Sequence, residues 1–428
     1  IMSVKAPARV YLRGAVYDKY TGVGWEKTER DKQNYLTDRY YDHQELKFGW
    51  KAAVGSTITI YENNVVDLSV NIDEPEQYLR YLERNQMPGE LERLFPEEKL
   101  AIRHLNVRTK TVFAPLKIML PITGLAASGY SLEEDITGTV QANKRLSGNT
   151  RYEINYIQPC YGMTALDNLF NISRPGMYNE FINTNMEFLN KLEMEDIENA
   201  ELSRREVTDA IELFQQLKRH RDEVYELYTQ LPENLPGRVY KLACELTSNA
   251  DTTYEKVKSI ESYLRKNYNY TLTPGYTPEG QDFVDYFLFE SRQGYCSYYA
   301  TAMCIMTRAV GIPARYVEGF VLPDKSDDYG YYHVTNQNAH AWTEVYLEGI
   351  GWVSFEPTTP FAGAMNYTVP LISNAGGSGN PYEMYDESYA EKYMDFYTGV
   401  EPLPDGYDAA RNDITSNEAL LYTAAVIL

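Results

Sequence analysis

A thiol, an imidazole and a carboxylate follow one another along the second half of this 428-residue chain, as Cys296, His340 and Glu356. These three side-chain types are the minimum needed for acyl transfer through a thioester: the cysteine attacks, the histidine takes and returns protons, and the acid orients the histidine. The whole chain holds only four cysteines and five histidines, so one of each in a distinct local setting favours this chemistry over coincidence.

Cys296 lies where a helix is predicted to begin. Gly294 and Tyr295 precede it, and the run of helix-forming residues that follows it ends at Gly311-Ile312-Pro313. At a helix start, unpaired backbone N–H groups and the positive end of the helix dipole stabilise a thiolate and can hold an oxyanion. A buried structural cysteine is the alternative, and Cys304, in the middle of the same predicted helix, fits it better.

Two predicted strands bring His340 and Glu356 to one edge of a sheet. Residues 341–347 alternate between two faces, and residues 352–355 follow after a tight connection at residues 349–351, so the strands are predicted to be antiparallel neighbours. His340 begins the first strand and Glu356 ends the second. Taken alone, a histidine at such a position is more often structural than catalytic.

The composition excludes some classes of partner. The net charge of −21 opposes binding to nucleic acid or to an anionic membrane surface. The 39 tyrosines, against 14 phenylalanines, indicate packing with a polar rim first, and carbohydrate binding as the alternative. The histidines have no zinc-ligand spacing, and thioester chemistry needs no cofactor, so we predict neither a metal nor a cofactor.

The chain is predicted to have three parts. Residues 1–175 hold short β-rich runs between turns and are predicted to form an N-terminal β-rich domain. Residues 176–362 comprise a helical lead-in and the segment with the three reactive residues. The lead-in has a capping box at Ser203-Arg204-Arg205-Glu206, and apolar spacing predicts further helices from near Pro236 and over about residues 253–267. Residues 363–428 are predicted to be a linker and an acidic, tyrosine-rich tail. No membrane span is predicted within these three parts, because they contain no run of about 18 apolar residues.

Four blocks of the sequence together resemble the core of the transglutaminase-like superfamily. They are Gly-Tyr-Cys at a helix start, Gly311–Val317, Ala339–Trp342 and Phe355–Thr358. The resemblance covers about residues 231–359, and in particular it is to the bacterial membrane-anchored branch, whose catalytic domain is extracytoplasmic. Tyr11-Leu12-Arg13-Gly14 and Trp25 are similar to the segment that follows the membrane part in that branch.

The resemblance implies an α+β fold with a papain-like core, in which the helix that carries the cysteine packs on an antiparallel sheet. It makes Cys296 the nucleophile, His340 the general base and acid, and Glu356 the orienting carboxylate. The family usually has aspartate in place of Glu356, whose extra methylene requires a slightly different strand separation. The family's second oxyanion donor is not identified, and Gln281 and Gln293 are weak candidates. Membrane attachment is expected through segments outside this chain.

The expected function is thiol-dependent acyl transfer on a carboxamide or peptide bond of a protein or peptide substrate in the bacterial cell envelope. A cysteine protease or amidase acting on envelope peptides is one alternative, because the same three residues serve it. A non-catalytic envelope scaffold is the other, although the intact set of reactive residues argues against it. The sequence does not distinguish water from an amine as the acceptor, and it leaves the oligomeric state open.

Overall fold

The computed structural model describes residues 1–28, 93–135, 137–177 and 204–364, together with residues 179, 180, 183, 186 and 187. The strands are β1 Met2–Lys5, β2 Tyr11–Tyr17, β3 Lys19–Tyr20, β4 Trp25–Glu26, β5 Glu97–His104, β6 Thr109–Val112, β7 Lys117–Thr123, β8 Leu132–Glu134, β9 Val140–Leu146, β10 Arg151–Ile157, β11 Asn269–Tyr270, β12 Gln293–Gly294, β13 Ala314–Val321, β14 Tyr331–Val334, β15 Ala339–Leu347 and β16 Gly351–Phe355.

The α-helices are α1 Thr164–Ile172, α2 Arg204–Tyr228, α3 Gly237–Thr247, α4 Thr253–Asn267, α5 Phe283–Tyr286 and α6 Cys296–Ala309. A π-helical turn, Phe287–Ser291, continues α5, and 3-10 turns cover Ala126–Ser128, Asn336–Asn338 and Thr359–Ala364. None of the helices in the described ranges is both long and apolar enough to cross a membrane.

A four-stranded antiparallel sheet, in the order β16-β15-β13-β2, joins three strands of the described residues 204–364 to β2 of the described residues 1–28. All residues of β13, β15 and β16 are buried, so both faces of this part of the sheet are covered. Helix α6 packs on one face, where the Thr343 hydroxyl donates a 2.9 Å hydrogen bond to the Ala300 carbonyl. The chain therefore has the expected α+β fold, with the cysteine helix on an antiparallel sheet.

Helix α6 is central because it is apolar nearly all round. Met303, Cys304 and Ile305 are fully buried, as a helix enclosed by other elements requires. Helices α3 and α4 cover it from the side away from the sheet, and their apolar residues lie at the helical spacing read from the sequence. Helix α2 begins at Arg204; Ser203, the first residue of the predicted capping box, lies outside the described residues.

Strands from the first 175 residues take part in the same sheets as strands from the later part. Strand β2 pairs with β13 as the fourth strand of the central sheet, and β1 pairs with β14 in a second sheet of order β14-β1-β5-β10-β7. Both pairings cross the predicted boundary at residue 175, and the division into domains stays a prediction. The predicted linker and tail lie outside the described residues, apart from residues 363 and 364.

A buried ion network ties β2 into the central sheet. Glu344 of β15 accepts from Arg315 of β13 at 2.7 Å and lies 3.3 Å from Arg13 of β2, and all three side chains are buried. The Arg13 guanidinium also donates to the Thr137 carbonyl at 2.6 Å. Breaking one member of such a network leaves an uncompensated buried charge, so the network fixes the position of β2 relative to β13 and β15.

Candidate active site

Cys296 is the first residue of α6. The preceding residue, Tyr295, has extended backbone angles and makes no side-chain cap, so the first backbone N–H groups of the helix are left without a capping side chain. Position 294 requires glycine, because a Cβ there would overlap the Tyr298 ring. The cysteine side chain thus lies at the positive end of the helix dipole with uncapped donors beside it.

The structure brings His340 and Glu356 into direct contact. Nε2 of His340, the second residue of β15, lies 2.5 Å from Oε2 of Glu356, which follows β16 directly, and both side chains are fully buried. Pairing of β15 with β16 places the start of one strand beside the end of the other. The contact is the one expected from two antiparallel neighbours that meet at one edge.

Glu356 is held at both its side chain and its peptide group. The Tyr11 hydroxyl donates to Oε2 at 2.7 Å, and the Thr358 N–H donates to Oε1 at 2.8 Å. Its own N–H donates to Glu261 of α4 at 3.0 Å, and its carbonyl accepts from Arg265 of α4 at 2.7 Å. The carboxylate is therefore fixed by groups from β2, from α4 and from the turn that follows it.

The electrostatics of the site favour an ion pair. Burial lowers the pKa of His340, but the Glu356 carboxylate and a hydrogen bond with Cys296 outweigh burial and raise that pKa from 6.5 to about 9. Burial raises the pKa of Glu356, but the charge and hydrogen bond of His340, with the bonds from Tyr11 and Thr358, lower it overall. Near neutral pH the pair is an imidazolium and a carboxylate.

The second ring nitrogen of His340 is available to Cys296. Nδ1 is buried and makes no well-directed hydrogen bond to a described residue, and Nε2 is occupied by Glu356. Cys296 contributes to the raised pKa of His340, and Nδ1 is the ring nitrogen that Glu356 does not occupy, so the thiol is assigned to that side of the ring. Thiol, imidazole and carboxylate form a chain in that order, as proton transfer between thiol and imidazole requires.

Aromatic rings screen this chain of groups from water. The Phe361 ring lies 4.1 Å from the His340 ring, the Trp342 ring lies parallel to it at 6.3 Å, and the Tyr11 ring lies at 5.7 Å. Only 3% of Cys296 is exposed, and His340 is fully buried. Because water is excluded, electrostatic interactions between the side chains of Cys296, His340 and Glu356 are stronger than they would be in water.

Two further aromatic side chains line the other side of Cys296. The indole of Trp25 stacks on the Tyr316 ring at 5.2 Å with an angle of 4° between the planes. Its N–H donates to the Thr301 hydroxyl of α6 at 2.9 Å. Tyr316 packs with Cys296 and Ala341 in one apolar cluster. The Trp25 and Tyr316 rings therefore form one wall of the site.

Gln281, Gln293, His333 and the acidic loop at residues 324–328 share no hydrogen bond with the three reactive side chains in the described part of the chain. Gln281 is in the loop before α5 and Gln293 pairs with Asn269 of β11, and within the described ranges neither shares a hydrogen bond with Cys296, His340 or Glu356. His333 is exposed and pairs with Asp327 at 2.9 Å. The acidic loop at residues 324–328 is engaged by the protein itself, since Asp327 also accepts the N–H groups of residues 329 and 331.

Sequence reasoning missed Tyr11, Glu261 and Arg265 as partners of Glu356. The Tyr11 contact joins residues 345 positions apart, and the two α4 contacts join residues more than 90 positions apart. Tyr11 was noted in the sequence as part of a block that resembles the membrane-anchored branch, but that resemblance does not predict which residue Tyr11 contacts.

Comparison with known proteins agrees with this geometry. Residues 240–357 match the model of the Transglutaminase-like superfamily. The chain is 41% identical over 155 residues to the uncharacterized protein YebA of Bacillus subtilis strain 168, and the aligned segment covers 35% of this chain and 21% of that protein. It is 38% identical over 130 residues to a protein-glutamine gamma-glutamyltransferase of Pseudomonas aeruginosa PAO1, and the aligned segment covers 30% of this chain and 19% of that protein.

Among solved structures, the periplasmic domain of TgpA from Pseudomonas aeruginosa is similar, with a TM-score of 0.49 and 16% identity over 85% of this chain and 90% of that one. The chain spans about a fifth of the length of the two curated relatives. The sequence match and the helix-on-sheet fold identify residues 240–357 as a transglutaminase-like domain.

Proposed function

We propose that this protein catalyses thiol-dependent acyl transfer on protein or peptide carboxamides, through a thioester on Cys296. The observation that carries the proposal is Cys296 at the uncapped start of α6, coupled to the buried pair of His340 and Glu356. The identity shared with a protein-glutamine gamma-glutamyltransferase adds support. The catalytic roles of the three residues are part of this proposal.

In the first half of the reaction, Sγ of Cys296 attacks the carboxamide carbon as a thiolate. The C–S bond forms, and the N–H groups at the start of α6 stabilise the oxyanion. The His340 imidazolium gives its proton to the departing nitrogen, the C–N bond breaks, and ammonia or an amine leaves. A histidine pKa of about 9 supports this step, because the imidazolium is then present near neutral pH.

In the second half, an amine or water attacks the thioester carbon. Neutral His340 takes a proton from the attacking group, the C–S bond breaks, and Cys296 leaves as a thiolate. The Glu356 carboxylate stays ionised, holds the imidazole in place and stabilises its cationic form. An amine gives a crosslinked or amine-labelled product, and water gives a carboxylic acid, so one site serves both transfer and hydrolysis.

The decisive experiment is mass spectrometry of a glutamine-bearing peptide incubated with the protein, with and without a primary amine. Product mass separates transfer, deamidation and peptide cleavage. We expect amine incorporation by the wild-type protein, loss of all products in Cys296→Ala, and full activity in Cys244→Ala, which removes an exposed thiol. The proposal fails if the wild-type protein gives no product of any kind, or if Cys296→Ala keeps its activity.

We also propose that the protein acts outside the cytoplasm in a bacterial cell envelope, attached to the membrane by segments outside this chain. The support is the resemblance of residues 11–14 and Trp25 to the segment that follows the membrane part in the membrane-anchored branch. Protease treatment of intact spheroplasts that carry the full-length protein tests this location. Digestion of the domain without lysis is the expected result, and protection until lysis would contradict it.

A further inference from the structure

Glu318 is a buried carboxylate on the face of the sheet that Cys296 approaches. It lies in β13 directly opposite Ala341 of β15, and it is 8% exposed. Residues directly opposite each other in antiparallel strands point to the same face. Since Ala341 packs against Cys296, the Glu318 side chain lies on the cysteine side of the sheet.

Two tyrosines hold the Glu318 carboxylate and connect it to the cysteine. The Tyr316 hydroxyl donates to Oε1 at 2.9 Å, and the Tyr17 hydroxyl donates to Oε2 at 3.3 Å. Tyr316 also shares a hydrogen bond with Ser297, the residue after Cys296, and packs against Cys296 itself. Glu318 is therefore one side chain away from the start of α6.

The Glu318 carboxylate lacks a cationic partner of its own. In the described part of the chain no lysine or arginine forms an ion pair with it. The charge of Lys27 acts on Glu318 without an ion pair, and the Lys27 ammonium lies 4.0 Å from the Asp135 carboxylate. Burial raises the pKa of Glu318 to about 7, although the bonds from Tyr316 and Tyr17 and the charge of Lys27 oppose this. A buried acid without a cation costs stability, which favours a role with a ligand.

The pairing of β2 with β13 is irregular beside Glu318. The pairing of β13 with β2 shifts register between Glu318 and Gly319, so that β2 has one extra residue at this point. Bulges of this kind re-aim side chains and are frequent beside active sites. Gly319 is in turn the partner of His340 in β15, so the irregularity lies between the carboxylate and the histidine.

We propose that Glu318 binds the ammonium group of the acceptor, a cationic primary amine such as a lysine side chain, beside the Cys296 thioester. The inference rests on the acyl transfer proposed above and names its second substrate. The hydroxyls of Tyr17 and Tyr316 fix both carboxylate oxygens, and the remaining lone pairs can accept N–H groups of an ammonium.

The proton balance of this step is closed. The bound ammonium gives one proton to the Glu318 carboxylate and becomes a neutral amine. The amine nitrogen attacks the thioester carbon, the C–N bond forms, the C–S bond breaks and Cys296 leaves as a thiolate. The second proton of the nitrogen passes to neutral His340, and Glu318 later releases its proton to water.

The test compares two nucleophiles in transfer from a glutamine-bearing peptide: cadaverine, which is cationic at pH 7, and hydroxylamine, which is neutral. In Glu318→Gln we expect KM for cadaverine to rise about tenfold, as for loss of one charge-assisted contact, with hydroxylamine transfer unchanged. Tyr17→Phe, which removes one donor to the carboxylate, is expected to give a smaller rise. Glu26→Gln, which removes an exposed carboxylate paired with Lys19, is the matched control and leaves both KM values unchanged.

The outcomes separate this inference from the proposed function. If the wild-type protein transfers to neither nucleophile and forms no thioester, the acyl transfer proposal itself fails. If the wild-type protein transfers to both, but Glu318→Gln leaves KM for cadaverine unchanged or weakens both nucleophiles equally, only the amine site is refuted. Circular dichroism of Glu318→Gln establishes that it is folded. If it is not, the KM of Tyr17→Phe for cadaverine decides, and an unchanged value refutes the amine site.

Discussion

The Tyr11 hydroxyl donates a 2.7 Å hydrogen bond to Oε2 of Glu356, the same oxygen that lies 2.5 Å from Nε2 of His340. One carboxylate oxygen therefore joins a phenol from β2 to the imidazole of β15. Charge-assisted hydrogen bonds of this type are about twice as strong as neutral ones, and here the groups are buried. Tyr11 is thus a positioning residue for the acid that positions the histidine.

Tyr11→Phe is predicted to lower kcat by about five- to thirtyfold with little change in KM, since one buried hydrogen bond to a charged group contributes about 1–2 kcal/mol. Steady-state kinetics of peptide deamidation or amine transfer measure this. Tyr331→Phe, on β14 with its ring 39% exposed, is the control and retains the wild-type rate. An unchanged kcat in Tyr11→Phe would show that the Tyr11 hydroxyl does not position Glu356.

Glu356→Gln is predicted to reverse the shift in the pKa of His340. Without the carboxylate, burial is opposed by Cys296 alone and the histidine pKa falls from about 9, so less of the proton donor for the leaving group is present at neutral pH. In the wild-type protein the alkaline limb of the kcat profile is expected near pH 9. In the variant this limb moves to lower pH, and kcat at pH 7.5 falls at least about a hundredfold. A limb that stays in place would contradict the assignment.

Glu356→Asp tests whether the longer acid is required in this particular site. The shortened side chain draws the carboxylate away from both His340 and Tyr11, which approach one of its oxygens at 2.5 and 2.7 Å. We expect a loss of about tenfold in kcat/KM, with the histidine pKa still raised because the charge remains. Wild-type activity in this variant would mean that β15 and β16 adjust to the usual aspartate at no cost.

The stability of the fold is predicted to depend on pH through the same pair. The folded-state pKa of His340 is raised to about 9, so its contribution is complete below the unfolded value of 6.5 and is lost as the pH rises through 9. The folded-state pKa of Glu356 is lowered, so its contribution is present above 4.5 and lost in acid. The difference in the free energy of unfolding between wild type and Glu356→Gln is expected to be largest between pH 4.5 and 6.5.

Urea unfolding at a series of pH values measures this difference. From pH 6.5 to above 9 it is expected to fall by at most about 3 kcal/mol, the value of a shift of this size in one group. Unfolding of Glu26→Gln over the same range supplies a control, because it removes an exposed carboxylate paired with Lys19 and leaves the His340–Glu356 pair intact. A difference that is constant with pH would show that the two groups do not form an ion pair.

Gly319→Ala is predicted to destabilise the fold and to displace the histidine. A Cβ at this position would overlap the Leu12 carbonyl of β2 and approach the Trp342 ring to 2.9 Å, and neither is a flexible chain end. We expect a loss of at least about 2 kcal/mol in the free energy of unfolding, together with reduced activity. Gly237→Ala, at the first residue of α3 with open space around it, is the control and is expected to be neutral. Equal stability of the two variants would contradict the close approach of β2.

The sequence was sufficient for the parts of the site that depend on local pattern. The glycine and proline signals on either side of α6 located Cys296 at a helix start, and the tight turn after Leu347 placed His340 beside Glu356. Each of these inferences needs only the geometry of one element or of two sequential neighbours. The approximate bounds of α3 and α4 followed from helical spacing in the same way.

The parts that escaped prediction depend on contacts between distant segments. Tyr11 meets Glu356, and Tyr17 meets Glu318, only because β2 pairs with β13, and no periodicity within either strand encodes that pairing. The apolar spacing predicted helix α4, but that spacing carries no information about the partners of its polar residues Glu261 and Arg265. Their buried bonds to the peptide group of Glu356 require the helix to be docked first.

The pairing of β2 with β13 also limits how the protein can be divided. The segment that matches the superfamily model begins at residue 240, so a fragment cut to that match would lack β2. Its sheet would then present the backbone of β13 as an open edge, and unpaired N–H and C=O groups on such an edge recruit strands of other molecules. The fragment is expected to self-associate, and it would also lose the phenol beside Glu356.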